Sequence, residues 1–148
     1  MVATAAHLTD HVLPRLPVRQ WVLAVPKRLR YFLHRDADLQ GTALRLFLRM
    51  VEQCLRAHSP GSGPAARHGA VAFIHRFGST LNAHLHFHCV VIDGVFESAT
   101  TGGIIFAAAT GLDANAVADV QAGVRRRRLR VFARRGLLPR DDVRAMGQ

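Results

Sequence analysis

The segment His84-Leu85-His86-Phe87-His88-Cys89-Val90-Val91-Ile92 constrains this chain more than any other. Its polar and apolar residues alternate with period two, the signature of a β-strand whose two faces differ in character. Side chains at i, i+2 and i+4 of a strand point the same way, about 6.5–7 Å apart per step. His84, His86 and His88 therefore share one face, and Leu85, Phe87 and Cys89 share the other. The apolar face needs helices packed on it, while the histidine face stays wet. Two imidazoles at this spacing can converge on one divalent ion from a rigid platform. A solvated strand face that merely collects polar residues would look the same, and His-X-His is common by chance. A jelly-roll metal enzyme uses the same pair but adds a glutamate a few residues later. None lies between Cys89 and Gly94, and Glu97 is too distant.

The rest of the chain supplies partners for such a strand. Residues 19–25 form a short run of β-formers ended by Pro26, a residue that suits a first helical turn. A helix is expected next, with Leu29, Phe32 and Leu33 on one side. A second helix carries Leu44, Phe47, Leu48, Val51 and Leu55 at the 3–4 spacing of an amphipathic stripe. Residues 59–64, Ser-Pro-Gly-Ser-Gly-Pro, read as a loop. Residues 69–76 alternate, with Val71, Phe73 and His75 on one face. Asp93-Gly94 reads as a turn pair, Gly103 to Ala107 as a weaker strand. A last helix runs from its cap Asp113 through Val117, Val120, Val124, Val131 and Phe132 to a stop at Gly136. The expected fold class is α+β, a mainly antiparallel sheet with flanking helices.

Charge narrows the partner. The 148 residues carry a formal +10, and Lys27 is the single lysine among 20 basic residues. The planar fork of arginine suits phosphate, so an excess this large points to a polyanion, most simply nucleic acid. A genome rich in arginine codons is the competing explanation. The densest cluster is Arg125, Arg126, Arg127 and Arg128, with Arg130, Arg134 and Arg135 beyond it. Four consecutive arginines spread around a helix, so one or two must fall near the apolar stripe. A second patch, Lys27, Arg28 and Arg30, has Tyr31 beside it as a surface on which a base could stack. Cys54 and Cys89 form no CxxC pair, which disfavours a disulfide framework or a cysteine zinc ribbon. No apolar run approaches the roughly 20 residues that cross a bilayer, and the first residues lack a signal peptide's layout. A cytoplasmic location without membrane contact is expected.

Four segments resemble the insertion-sequence transposases of the rolling-circle HUH, two-tyrosine type. They are HLTDHVLPRLPVRQWVLAVPKRLRYFLHRD, LRLFLRMVEQCL, GAVAFIHRFGSTLNAHLHFHCVVIDGVF and, more weakly, RRRRLRVFARRGLL. The third is the most specific, joining a strand, an Arg-Phe-Gly-Ser linker and a His-hydrophobic-His strand that ends in Asp-Gly-Val-Phe. The resemblance implies an HUH-nuclease-like palm of the ferredoxin/RRM kind. It also implies cleavage and transfer of single-stranded DNA ends through a phosphotyrosine link, assisted by a divalent metal ion, magnesium or manganese. By the same resemblance His86 and His88 are the metal pair. His75 is a third candidate ligand where relatives carry glutamine, and a polar residue on a half-exposed strand explains it equally well. His84 stands where an asparagine-like residue is expected, and Asp93 is expected to shape the turn.

The departures concern activity. Tyr31 is the chain's one tyrosine and precedes the metal strand, whereas the family's nucleophiles lie on a helix well beyond it. The expectation is one partial domain over 1–148, a truncated copy lacking the cysteine-rich zinc-binding domain and the tyrosine segment. A second expectation is a non-catalytic remnant that holds single-stranded element ends, associating or competing with intact transposase. A third is an unstable pseudogene product.

Overall fold

The computed structural model describes residues 6–77 and 83–139. After a π-helical turn at Leu8–Val12, the order is β1 (Val18–Ala24), α1 (Lys27–Arg35), α2 (Ala37–Ala57), β2 (Ala70–Phe77), β3 (Ala83–Ile92), β4 (Gly94–Ser98), β5 (Ile104–Ala108) and α3 (Ala114–Arg134). The architecture is α+β. Strands β1, β3 and β2 form an antiparallel sheet in that order, and β4 and β5 form a separate antiparallel ribbon.

Local chemistry sets the element ends. Asp36 ends α1 and caps α2, its carboxylate accepting from the Leu39 N–H at 2.8 Å. Asp113 caps α3 by accepting from the Ala116 N–H at 2.9 Å. At the far end Gly136 adopts φ 67°, Gly136 N–H donates to Ala133 O and Leu137 N–H donates to Phe132 O. That paired closure is a Schellman motif, which favours glycine at the left-handed position.

Period two in the strands and 3–4 spacing in the helices meet in one core. Leu85, Phe87, Cys89 and Val91 of β3 join Trp21 and Leu23 of β1 on the apolar face of the sheet. Leu29 and Leu33 of α1, Phe47, Val51 and Leu55 of α2, and Val120, Val124, Leu129 and Phe132 of α3 cover that face. Burial of this kind contributes about 25 cal/mol per Å² of apolar surface and fixes which face of β3 is left outside.

One expectation needs correction: β3 ends at Ile92 as expected, but Asp93-Gly94 is not a turn pair, because Asp93 is a single bent residue and Gly94 already opens β4. The Arg76-Phe77-Gly78-Ser79 linker lies partly outside the described residues, which include Arg76 and Phe77 but not Gly78 or Ser79.

Candidate metal centre and basic surfaces

With the helices on one side, the alternation of β3 leaves His84, His86 and His88 on the other. The ladder register then brings in a neighbour, because His75 of β2 pairs directly with His86, and Phe73 with His88. The His75 ring centroid lies 5.0 Å from that of His86 and 4.7 Å from that of His88, and the latter two are 4.8 Å apart. One ring nitrogen from each of the three lies within 4.8 Å of the others. Three imidazoles from two adjacent strands thus gather in one small region, a donor set of the kind that holds a divalent ion after a small side-chain adjustment.

Two further residues shape this cluster. On β1, Gln20 places its amide nitrogen 2.6 Å from Nδ1 of His88. A hydrogen bond to one ring nitrogen fixes which nitrogen is left for a metal. As placed, the amide nitrogen donates to Nδ1; with the amide turned by 180° its oxygen accepts from Nδ1–H and Nε2 of His88 is left as the ligand atom. His84 sits at the edge of the cluster, its Nδ1 3.1 Å from Nδ1 of His86, which also lies 2.8 Å from the His84 carbonyl oxygen. Partial desolvation, then the positive surroundings, hold two histidines below the ordinary imidazole value. For His88 the neighbours are His75 and His86, and for His84 they are Arg30 and His86. Both favour the neutral, ligand-competent form at neutral pH.

Asp93 stays apart from the cluster. Its carboxylate accepts from Nε and NH2 of Arg19 at 3.1 and 2.8 Å, tying the ends of β1 and β3 together. Cys89, on the buried face, has its thiol pushed up to about 11 by desolvation, which makes it core rather than ligand.

The basic candidates divide by exposure. Lys27 and Arg28 open α1 on the surface, while half-buried Arg30 donates from Nε to Val25 O at 2.8 Å. Arg30 is near enough for its charge to act on His84, so this patch borders the histidine face. Tyr31 is exposed, but the Arg35 guanidinium lies 4.4 Å from its ring centroid and donates to its hydroxyl at 2.6 Å. Arg35 therefore already occupies one face of the expected stacking surface. On α3, Arg125 and Arg126 are exposed, Arg127 is half-buried and Arg128 is buried. Arg128 lies between Val124 and Phe132 on one i, i+4 row and is 7% exposed, which removes it from the expected DNA-contact set. Helix α3 packs against α2, and its Val120, Val124, Leu129 and Phe132 join the core beneath the apolar face of the sheet.

The element missing from sequence reasoning was Gln20. The alternation of β1 places it with Val22 and Ala24, but only the pairing with β3 puts it against His88.

Comparison with curated proteins gives no match, and none is found among solved structures. A family model described as "Putative transposase" matches residues 69–146, from the start of β2 through α3 and including His75, His86 and His88. The match takes in more than half of the chain, and the chain belongs to this transposase family.

Proposed function

We propose that the chain is the metal- and DNA-holding part of a rolling-circle HUH transposase nuclease. The observation that carries this reading is the convergence of His75, His86 and His88 on the open face of the sheet, within the segment matched by the transposase family. These three residues would hold the ion, which when bound polarises phosphate oxygens and stabilises charge developing on them. Of the two expected ions manganese takes imidazole nitrogen more readily than magnesium, and an all-imidazole set binds zinc more tightly than either. Gln20 orients His88 from the adjacent strand, and Arg30, with Lys27 earlier on the same helix, supplies positive charge beside the cluster where a single strand would pass.

The attacking group is not assigned to Tyr31. Its hydroxyl is engaged by Arg35, and it lies on α1 rather than on a helix following the metal strand. A second reading is a single-stranded DNA-binding remnant that occupies element ends and competes with intact transposase, and the basic charge of Arg30 beside the histidine face favours it.

Manganese binding by calorimetry tests the first reading, comparing the parent chain with a His86→Ala, His88→Ala double variant. Saturable binding lost in the double variant supports it, while no binding by a folded parent chain overturns it. Anisotropy with a labelled oligonucleotide, with and without manganese, tests the remnant reading. Salt-sensitive binding of single strands, unchanged by the double variant, would favour the remnant.

A further inference from the structure

The ladder between β2 and β3 changes register beside the histidine cluster. His75 pairs with His86 and Phe77 with Ala83, so one residue of β2, Arg76, lies between those pairs and two of β3, His84 and Leu85. The extra residue on β3 is a β-bulge, a device that breaks the pairing locally and re-aims a side chain. Leu85 remains fully buried in the core, and half-buried His84 is brought against His86.

The contacts at the bulge decide where the protons sit. The His84 carbonyl oxygen can only accept, and it lies 2.8 Å from Nδ1 of His86, so Nδ1 of His86 is the donor. A neutral imidazole has a single N–H, which leaves the lone pair of His86 on Nε2. Nδ1 of His84 lies 3.1 Å from the same donor. Two N–H groups cannot face each other at that distance, so His84 is a second acceptor for the one proton and carries its own on Nε2. His86 is thus gripped by two acceptors, the backbone and the ring of His84.

We infer that His84 is a positioning residue of the metal centre, holding the His86 ring in the tautomer and orientation that present Nε2 to the ion. The inference rests on the reading of His75, His86 and His88 as the ligands. Outer partners of this kind fix a ligand's tautomer and raise its basicity, and losing one typically costs about 10–100-fold in metal affinity. Gln20 meets Nδ1 of His88 from β1, so each of the two ligands on β3 has a partner at Nδ1, one across the ladder and one along the strand.

Two measurements on the full chain test this: manganese calorimetry, and nitrogen NMR of the isotope-labelled, metal-free protein at about pH 8, above the ordinary histidine range. In the parent chain His86 is expected to show a protonated Nδ1 and a bare Nε2. His84→Leu keeps the carbonyl and removes the ring acceptor. It is expected to give His86 a mixture of tautomers and a manganese affinity about tenfold weaker. His84→Asn returns a side-chain acceptor and is expected to restore both the single tautomer and most of the affinity. A role in packing alone would weaken binding without moving the nitrogen shifts, and asparagine would not rescue it; either result overturns the inference. So does a parent His86 protonated on Nε2, or parent-like affinity in His84→Leu. Should His84→Leu fail to fold, the parent spectrum and His84→Asn still decide. If the folded parent binds no manganese, it is the ligand reading that fails. The His86 shifts then separate a hold by His84, seen as loss of the single tautomer in His84→Leu, from none, seen as identical spectra.

Discussion

His75 and His86 face each other across the β2–β3 ladder with ring centroids 5.0 Å apart, which makes His75 a member of the cluster rather than a bystander on an edge strand. If the three imidazoles hold one ion, removing any of them leaves two donors. His75→Ala is expected to weaken manganese binding at least tenfold in calorimetry. His75 is exposed, so the melting temperature should stay within about two degrees, as for surface substitutions within roughly 0.5 kcal/mol. Unchanged affinity would reduce the ligand set to His86 and His88.

Gln20 offers a finer test, because among the described residues its amide meets the His88 ring nitrogen alone. Loss of a partner that orients a ligand typically costs 10–100-fold in metal affinity. Gln20→Ala is expected to fall in that range, with the cluster histidines still present. With the amide turned so that its oxygen faces Nδ1–H, Gln20→Glu retains that acceptor and should recover most of the affinity. Equal weakening by both variants would mean that Gln20 acts through local packing instead.

How much of this was legible in the sequence depended on the range of each interaction. The alternation at 84–92 is local and foretold which face of β3 packs and which stays open. Capping by Asp113 and the Gly136 stop are also local, and both are found. The pairing of β1 with β3 joins residues 68 apart, and no local pattern announces that register, which is why Gln20 went unseen. Strand β4 was hidden because Asp-Gly usually marks a turn, whereas here one bent residue passes the chain directly from one sheet to the other. The burial of one arginine in the run of four was readable from helix phase, since Arg128 is four residues from both Val124 and Phe132.

Glu52 should make the fold acid-sensitive. Its carboxylate accepts from Arg56 and Arg67 at 3.1 Å each and meets Nδ1 of His68 at 2.9 Å, joining α2 to the segment before β2. Burial alone pushes this carboxyl up, but the bonds and charge of His68 and the bond from Arg67 hold it below the ordinary 4.5. The folded chain therefore binds this proton less tightly than the unfolded chain. The stabilisation is complete above about pH 4.5 and is lost as pH falls through the folded value. Glu52→Gln is expected to cost about 1–3 kcal/mol at pH 7 and to lose less stability than the parent below pH 4.5. Urea unfolding at pH 7 and pH 4 checks both parts, and parallel pH profiles for the two proteins would count against this role.

Gly94 is required by a close approach rather than by its backbone angle. A Cβ at this position would lie 2.4 Å from the Ala107 carbonyl oxygen and 2.6 Å from the Phe106 ring, at the start of the β4–β5 ribbon. A backbone carbonyl cannot swing aside as the end of a side chain can, so Gly94→Ala must push the two strands apart. Overpacking of this kind costs about 1–3 kcal/mol, enough to lower the melting temperature by several degrees. Gly61→Ala is the contrasting case: nothing lies within 4 Å of its Cβ, and only its φ of 80° resists substitution. Amide exchange separates the two, because Gly94→Ala should speed exchange across β4 and β5 while Gly61→Ala leaves the ribbon protected. The histidine cluster lies on the other sheet, so manganese affinity should survive Gly94→Ala. Loss of binding in that variant would show that the ribbon helps to hold β3 in place.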